Sequence, residues 1–90
     1  MLHLILYDLR NKSQEHENRL CNLIETHAED SCKITDSAFV VSSRLSMEQW
    51  YNLLEETLES DDYFFVTQLQ SDQFTGFLSD QAADWFSQCV

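Results

Sequence analysis

The chain has 90 residues, 43% of them apolar and 12% aromatic, with one Gly, no Pro and a formal net charge of −11. That length holds one domain, residues 1–90, around one core; the composition excludes a disordered chain, and a lone Gly leaves no glycine-rich loop to cradle a phosphate. All five Lys and Arg lie at or before Arg44, so the last 46 residues carry nine acids and no base, a surface that repels a phosphate backbone and makes nucleic acid a doubtful partner.

The first run, Leu2-His3-Leu4-Ile5-Leu6-Tyr7-Asp8-Leu9, is apolar and ends on an acid. It reads as a strand buried on both faces that carries Asp8 to a sheet edge. It is too short, and lacks the basic flank, to be a signal peptide or a membrane span. A polar turn, Arg10-Asn11-Lys12-Ser13, follows. From Ser13 to Ala28, Leu20, Leu23, Ile24 and His27 fall at i, i+3, i+4 and i+7, which predicts a helix with Ser13 as its N-cap and Glu15 and Glu17 at its positive end. His16 is expected on the polar side of this helix. A strand over Cys32–Thr35, a tight turn at Asp36-Ser37 and the β-branched and aromatic run Ala38-Phe39-Val40-Val41 predict a hairpin.

Ser46-Met47-Glu48-Gln49 has the residues of a capping box, and Trp50, Leu53, Leu54, Thr57 and Leu58 line one face of the helix it opens. Tyr63 to Leu69 reads as a fourth strand and Ser71 to Gly76 as a loop. Ser79 caps a last short helix over Asp80 to about Gln88, expected to pack on the domain edge or on a partner subunit.

The order β-α-β-β-α-β makes the expected fold an α+β ferredoxin-like plait, an antiparallel sheet with both long helices on one face and a short C-terminal helix added. Right-handed crossovers give the spatial strand order fourth, first, third, second. The first strand then ends beside the starts of the third and fourth, so Asp8, Asp36 and Ser37, and Asp61 and Asp62 gather at one edge. Clustered carboxylates either raise one another's pKa values or bind a cation, and oxygen-only ligands suit Mg²⁺ or Mn²⁺. Asp8 is the leading metal candidate, with Asp36, Asp61 and Asp62 behind it; the alternatives are solvated loop acids and an edge that binds a protein partner.

Three stretches carry a resemblance: Leu6-Tyr7-Asp8-Leu9, Asp36-Ser37-Ala38-Phe39-Val40-Val41, and Ser60-Asp61-Asp62-Tyr63-Phe64-Phe65-Val66. Together they resemble the small CRISPR-associated endoribonuclease family of spacer acquisition, and more closely its SinR-like orphan relatives; the VapD-type ribonuclease toxins share the plait. The resemblance implies a ferredoxin-like homodimer in which Asp8 of each subunit faces the other across the interface. In active members of that family the matching pair holds one metal for phosphodiester hydrolysis, and others act as a non-catalytic bridge. Only Asp8 carries over as a catalytic candidate. Ser37 and Phe39 match a structural element. The scarcity of basic residues near Asp8, with only Arg10, Lys12 and Arg19 close in sequence, departs from the nucleic-acid-binding members.

Other chemistry is thin. Cys21, Cys32 and Cys89 have no ligand spacing, and an odd count without a secretory signal points to free thiols in a reducing cytoplasm. A Cys21 nucleophile served by His16 or His27 lacks anything to form an oxyanion site. His3 reads as a buried histidine and His27 as a packed or half-exposed one, and Trp50, Trp85 and Phe86 as core or interface residues. Two functions compete: a non-enzymatic homodimeric binding or scaffold module, favoured by the acidic surface, and a Mg²⁺- or Mn²⁺-dependent endonuclease acting on RNA or DNA through Asp8 of both subunits. A third is an acidic nucleic-acid mimic with a basic protein partner.

Overall fold

The computed structural model describes residues 1–10, 13–70 and 73–89. Parts of two expected turns, Asn11-Lys12 and Ser71-Asp72, lie outside the described residues, as does the side chain of Cys89. Seven elements follow one another: β1 (Leu2–Asp8), α1 (Gln14–His27), β2 (Asp30–Thr35), β3 (Ala38–Ser42), α2 (Met47–Thr57), β4 (Tyr63–Leu69) and α3 (Asp80–Cys89). The fold is α+β, with one four-stranded antiparallel sheet and three helices. Among the described residues no helix is long and apolar enough to cross a membrane.

The sheet order is β2-β3-β1-β4, which read from the β4 edge is fourth, first, third, second. β1 is central, and Leu2 to Leu6 are paired on both sides: Ile5 with Phe39 and Val66, and Leu6 with Ala38 and Phe65. Side chains alternate across a strand. Ile5, Tyr7, Phe39 and Val41 therefore point together to one face, where Leu20 and Ile24 of α1 and Trp50 and Leu54 of α2 close the core over them.

The helix ends are built as their sequences dictate. The Ser13 hydroxyl accepts from the His16 amide at 3.2 Å. In α2 both halves of the capping box form, with the Gln49 amide donating to the Ser46 hydroxyl at 3.1 Å and the Ser46 amide to the Gln49 side-chain carbonyl at 2.8 Å. Trp50 is fully buried, and its indole N–H donates to the buried Ser43 hydroxyl at 3.1 Å. β2 starts at Asp30, two residues before the expected strand, and breaks register between Lys33 and Thr35.

The second face of the sheet is not bare. The segment from Phe74 to Leu78 and α3 lie over Leu4, Val40 and Leu69, enclosing an apolar cavity of about 450 Å³ with Ala83 and Phe86. Ala82 is buried, the Phe74 and Phe86 rings lie 5.2 Å apart, and Trp85 meets Phe86 edge-on at 5.3 Å. α3 thus covers the half of this face nearer β2 with residues of the same chain. The other half, towards β4, stays open: Leu6 is 40% exposed, Phe65 61% and Tyr63 72%.

Candidate functional site

β1 carries the site because strand alternation sends its last two side chains to opposite faces. Tyr7 points into the core and Asp8 points out, on the same face as Leu6 and beside its cross-strand partner Tyr63. Asp8 is exposed, and its carboxylate makes no hydrogen bond or ion pair to any described residue. It ends an apolar patch formed by Leu6, Phe65 and Tyr63.

Asp36 joins Asp8 in the lining of one polar cleft of about 480 Å³, with Tyr7, Leu9, Glu17, Lys33 and Ser37. The hairpin turn is held there by the Tyr7 amide, which donates to the Ser37 carbonyl at 3.0 Å. The Tyr7 hydroxyl has two acceptors in reach, the Glu17 carboxylate at 3.1 Å and the Asp36 carbonyl at 3.2 Å. Burial, with the Cys21 and Glu17 charges beside it, pushes the phenol far above its ordinary range, so Tyr7 stays a neutral donor. Lys33 closes the cleft on the β2 side with a 2.7 Å bond to Glu17. That bond holds Glu17 below the usual carboxylate range against the opposing effect of burial, and raises Lys33. Among the described residues the one cation that lines the cleft, Lys33, is therefore already paired.

Asp62 corrects the expectation that it is a metal candidate. Its side chain is fully buried at the mouth of β4. One carboxylate oxygen accepts from the Arg10 amide at 2.8 Å, and the other from His16 Nε2 and the Glu59 amide, both at 2.8 Å. Burial works against the charge, but these donors outweigh it and hold the pKa below the ordinary value. Asp62 ties the end of β1, the start of α1 and the α2–β4 turn together, with both oxygens engaged inside the chain. Asp61, its neighbour, is exposed.

His16 is the matching correction. It lies in the buried stripe of α1, not on the polar side. Its position four residues before Leu20 and eight before Ile24 is the signal that places it there. His27, by contrast, is exposed, and its ring N–H donates back to the Leu23 carbonyl at 2.9 Å. His3 is fully buried, as expected, and both ring nitrogens lack a partner. Burial, with the nearby chain-terminal ammonium, lowers its pKa. Cys21 and Cys32 are free, half-buried thiols that burial pushes up, so neither is an activated nucleophile.

The acids do collect near one end of the sheet, but they divide by task. Among the described residues no three His, Cys, Asp or Glu side chains stand close enough together to hold a metal ion. The chain offers Asp8, with Asp36 in the same cleft, and a metal at this edge needs ligands beyond these described residues.

Fold and site together define a two-layer α+β domain with an exposed acid at the rim of an uncovered apolar sheet face. No family model and no curated protein matches the chain. Among solved structures it is similar to a hypothetical protein, TT1823, from Thermus thermophilus, at 17% identity over 87% of this chain and 93% of that one, with a TM-score of 0.55. A likeness at that identity speaks to the fold alone.

Proposed function

We propose that the chain is a ferredoxin-like homodimer, akin to the SinR-like relatives of the CRISPR-associated endoribonuclease family, and that it serves as a non-catalytic binding or scaffold module. The observation that carries this reading is the open half of the second sheet face. Leu6, Tyr63 and Phe65 form an apolar surface that α1, α2 and α3 leave uncovered. A two-fold axis through that face buries the same patch of both copies and sets the two Asp8 carboxylates towards each other. The strand order and the fold-level likeness to TT1823 support the plait. The net charge of −11, and a cleft whose lysine is taken by Glu17, support a module that does not grip nucleic acid.

A second reading has its own observation. The Asp8 carboxylate is exposed and unengaged, unlike that of Asp62, so a dimer could present two such acids to one Mg²⁺ or Mn²⁺ and act as an endonuclease. The purified protein, incubated with labelled single- and double-stranded RNA and DNA in each metal beside Asp8→Asn, separates the two. The scaffold reading predicts no cleavage by either protein. Cleavage by the wild type that disappears in Asp8→Asn would overturn it in favour of the nuclease.

A further inference from the structure

The two edges of the sheet differ in a way that the dimer reading does not use. Edge strands expose unpaired N–H and C=O groups, and proteins blunt them with charge, bulges or a covering element. β2 has all three: Asp30 and Lys33, a register break, and α3 packed against it. β4 has none. Its seven residues, Tyr-Phe-Phe-Val-Thr-Gln-Leu, carry no charge and no Pro, and among the described residues nothing pairs with its outer side. Along this edge runs a groove of about 560 Å³ between β4 and the start of α2, floored by Met47, Tyr51, Phe64 and Val66. Tyr51 is exposed and its ring lies 5.4 Å from that of Phe64. Glu48 lines the groove, and Glu55, also exposed, follows Tyr51 by one turn of α2.

We propose that the free edge of β4 is a docking site for an extended, basic segment of a partner protein, which adds as a further strand. Main-chain bonds to the β4 edge give the affinity, and alternate side chains of the added strand lie in the Met47–Tyr51–Phe64 groove. Charge complementarity names the occupant. Glu48 lines the groove and residues 45–90 hold no base to offset it, so Lys or Arg on the incoming strand meets an unopposed acid. Tyr63 and Phe65 border this groove as well as the sheet-face patch, whereas Met47, Tyr51, Phe64 and Val66 lie on the other side of β4, away from that patch.

The test uses two fluorescein-labelled eight-residue peptides, one alternating Lys and Val and one alternating Glu and Val, read by anisotropy and by hydrogen exchange of residues 63–69. The Lys/Val peptide is expected to bind and to slow exchange along β4, the Glu/Val peptide to do neither. Added salt weakens the binding, and the double variant Glu48→Gln, Glu55→Gln, both exposed positions, weakens it roughly fivefold. Equal binding of the two peptides, or binding that leaves β4 exchange unchanged, would overturn the proposal. So would β4 protection that grows with protein concentration and no peptide present in Leu6→Glu, whose charge breaks the sheet-face pairing, because a second copy would then occupy the edge.

Discussion

Asp62→Ala is expected to destabilise the fold by about 3 kcal/mol, lowering the melting temperature by roughly 10–20 °C. The substitution removes three hydrogen bonds to a carboxylate, from His16 and from the Arg10 and Glu59 amides. The loss falls short of the sum of three charge-assisted bonds because both amides lie near the surface and regain water. His16 does not: it is buried, its Nδ1 already lacks a partner, and the variant leaves its Nε2 without one too. The pH profile supplies an independent check. Asp62 has a depressed pKa in the fold, so its contribution is complete above the ordinary value of 3.8 and disappears as pH falls below it. His3 is also depressed, from 6.5, so stability begins to fall below about pH 6.5, where an unfolded chain takes up the proton that the core refuses. Urea unfolding from pH 7 to pH 3 should show both losses in the wild type. Asp62→Asn should keep the decline below pH 6.5 and the acid loss that Glu17 contributes, and so fall less steeply than the wild type below pH 4. A wild-type stability on the acid side of pH 4 that Asp62→Asn reproduces would contradict the structural role.

Trp50→Ala should cost about 3–5 kcal/mol, enough to unfold much of so small a domain at 37 °C. Trp50 is the largest side chain in the core and is fully buried between the sheet and the helices. Its removal leaves a cavity that the sheet cannot collapse into, and it takes the indole donor from Ser43, whose buried hydroxyl also receives the Leu45 amide at 2.9 Å. Trp50→Phe separates the two losses: the ring is largely kept and the donor is not, so about 1–2 kcal/mol is expected. Urea midpoints at one fixed protein concentration measure both. Equal midpoints for the two variants would mean that packing contributes nothing beyond the hydrogen bond.

Most of the elements could be read from the chain because each is specified locally. The capping box at Ser46 and Gln49 starts α2 without help from the rest of the fold. β1, apolar but for His3 and Asp8, is central as its sequence suggests: both of its edges and its helix-facing side are used. α3 shows where local reading ends. Ala82, Ala83, Trp85 and Phe86 mark an apolar side but not its destination, and it goes to the second face of the same chain, shrinking the surface left for a partner. The acids show it again. Asp61 and Asp62 are adjacent and chemically alike, yet the entry of β4 turns one to solvent and the other onto His16. Nothing in the residue pair distinguishes them; the distinction comes from the register of β4 on β1, which sets Tyr63 opposite Asp8 and brings Asp62 to the Arg10 amide. Asp8 was legible as an exposed acid at a strand end, and the apolar patch beside it required the sheet to be assembled before Leu6 and Phe65 became neighbours.

The mass of the protein in solution, measured by light scattering for the wild type and for Phe65→Glu, is the most direct test of the dimer account. Phe65 lies on the open half of the sheet face, already 61% exposed in one copy, so a charge there leaves the isolated fold intact and acts on association. The account predicts a wild-type mass of twice 10.6 kDa and, for Phe65→Glu, a folded species of 10.6 kDa. A wild type that stays at the single-chain mass at every concentration, or a Phe65→Glu variant that remains dimeric, would contradict it.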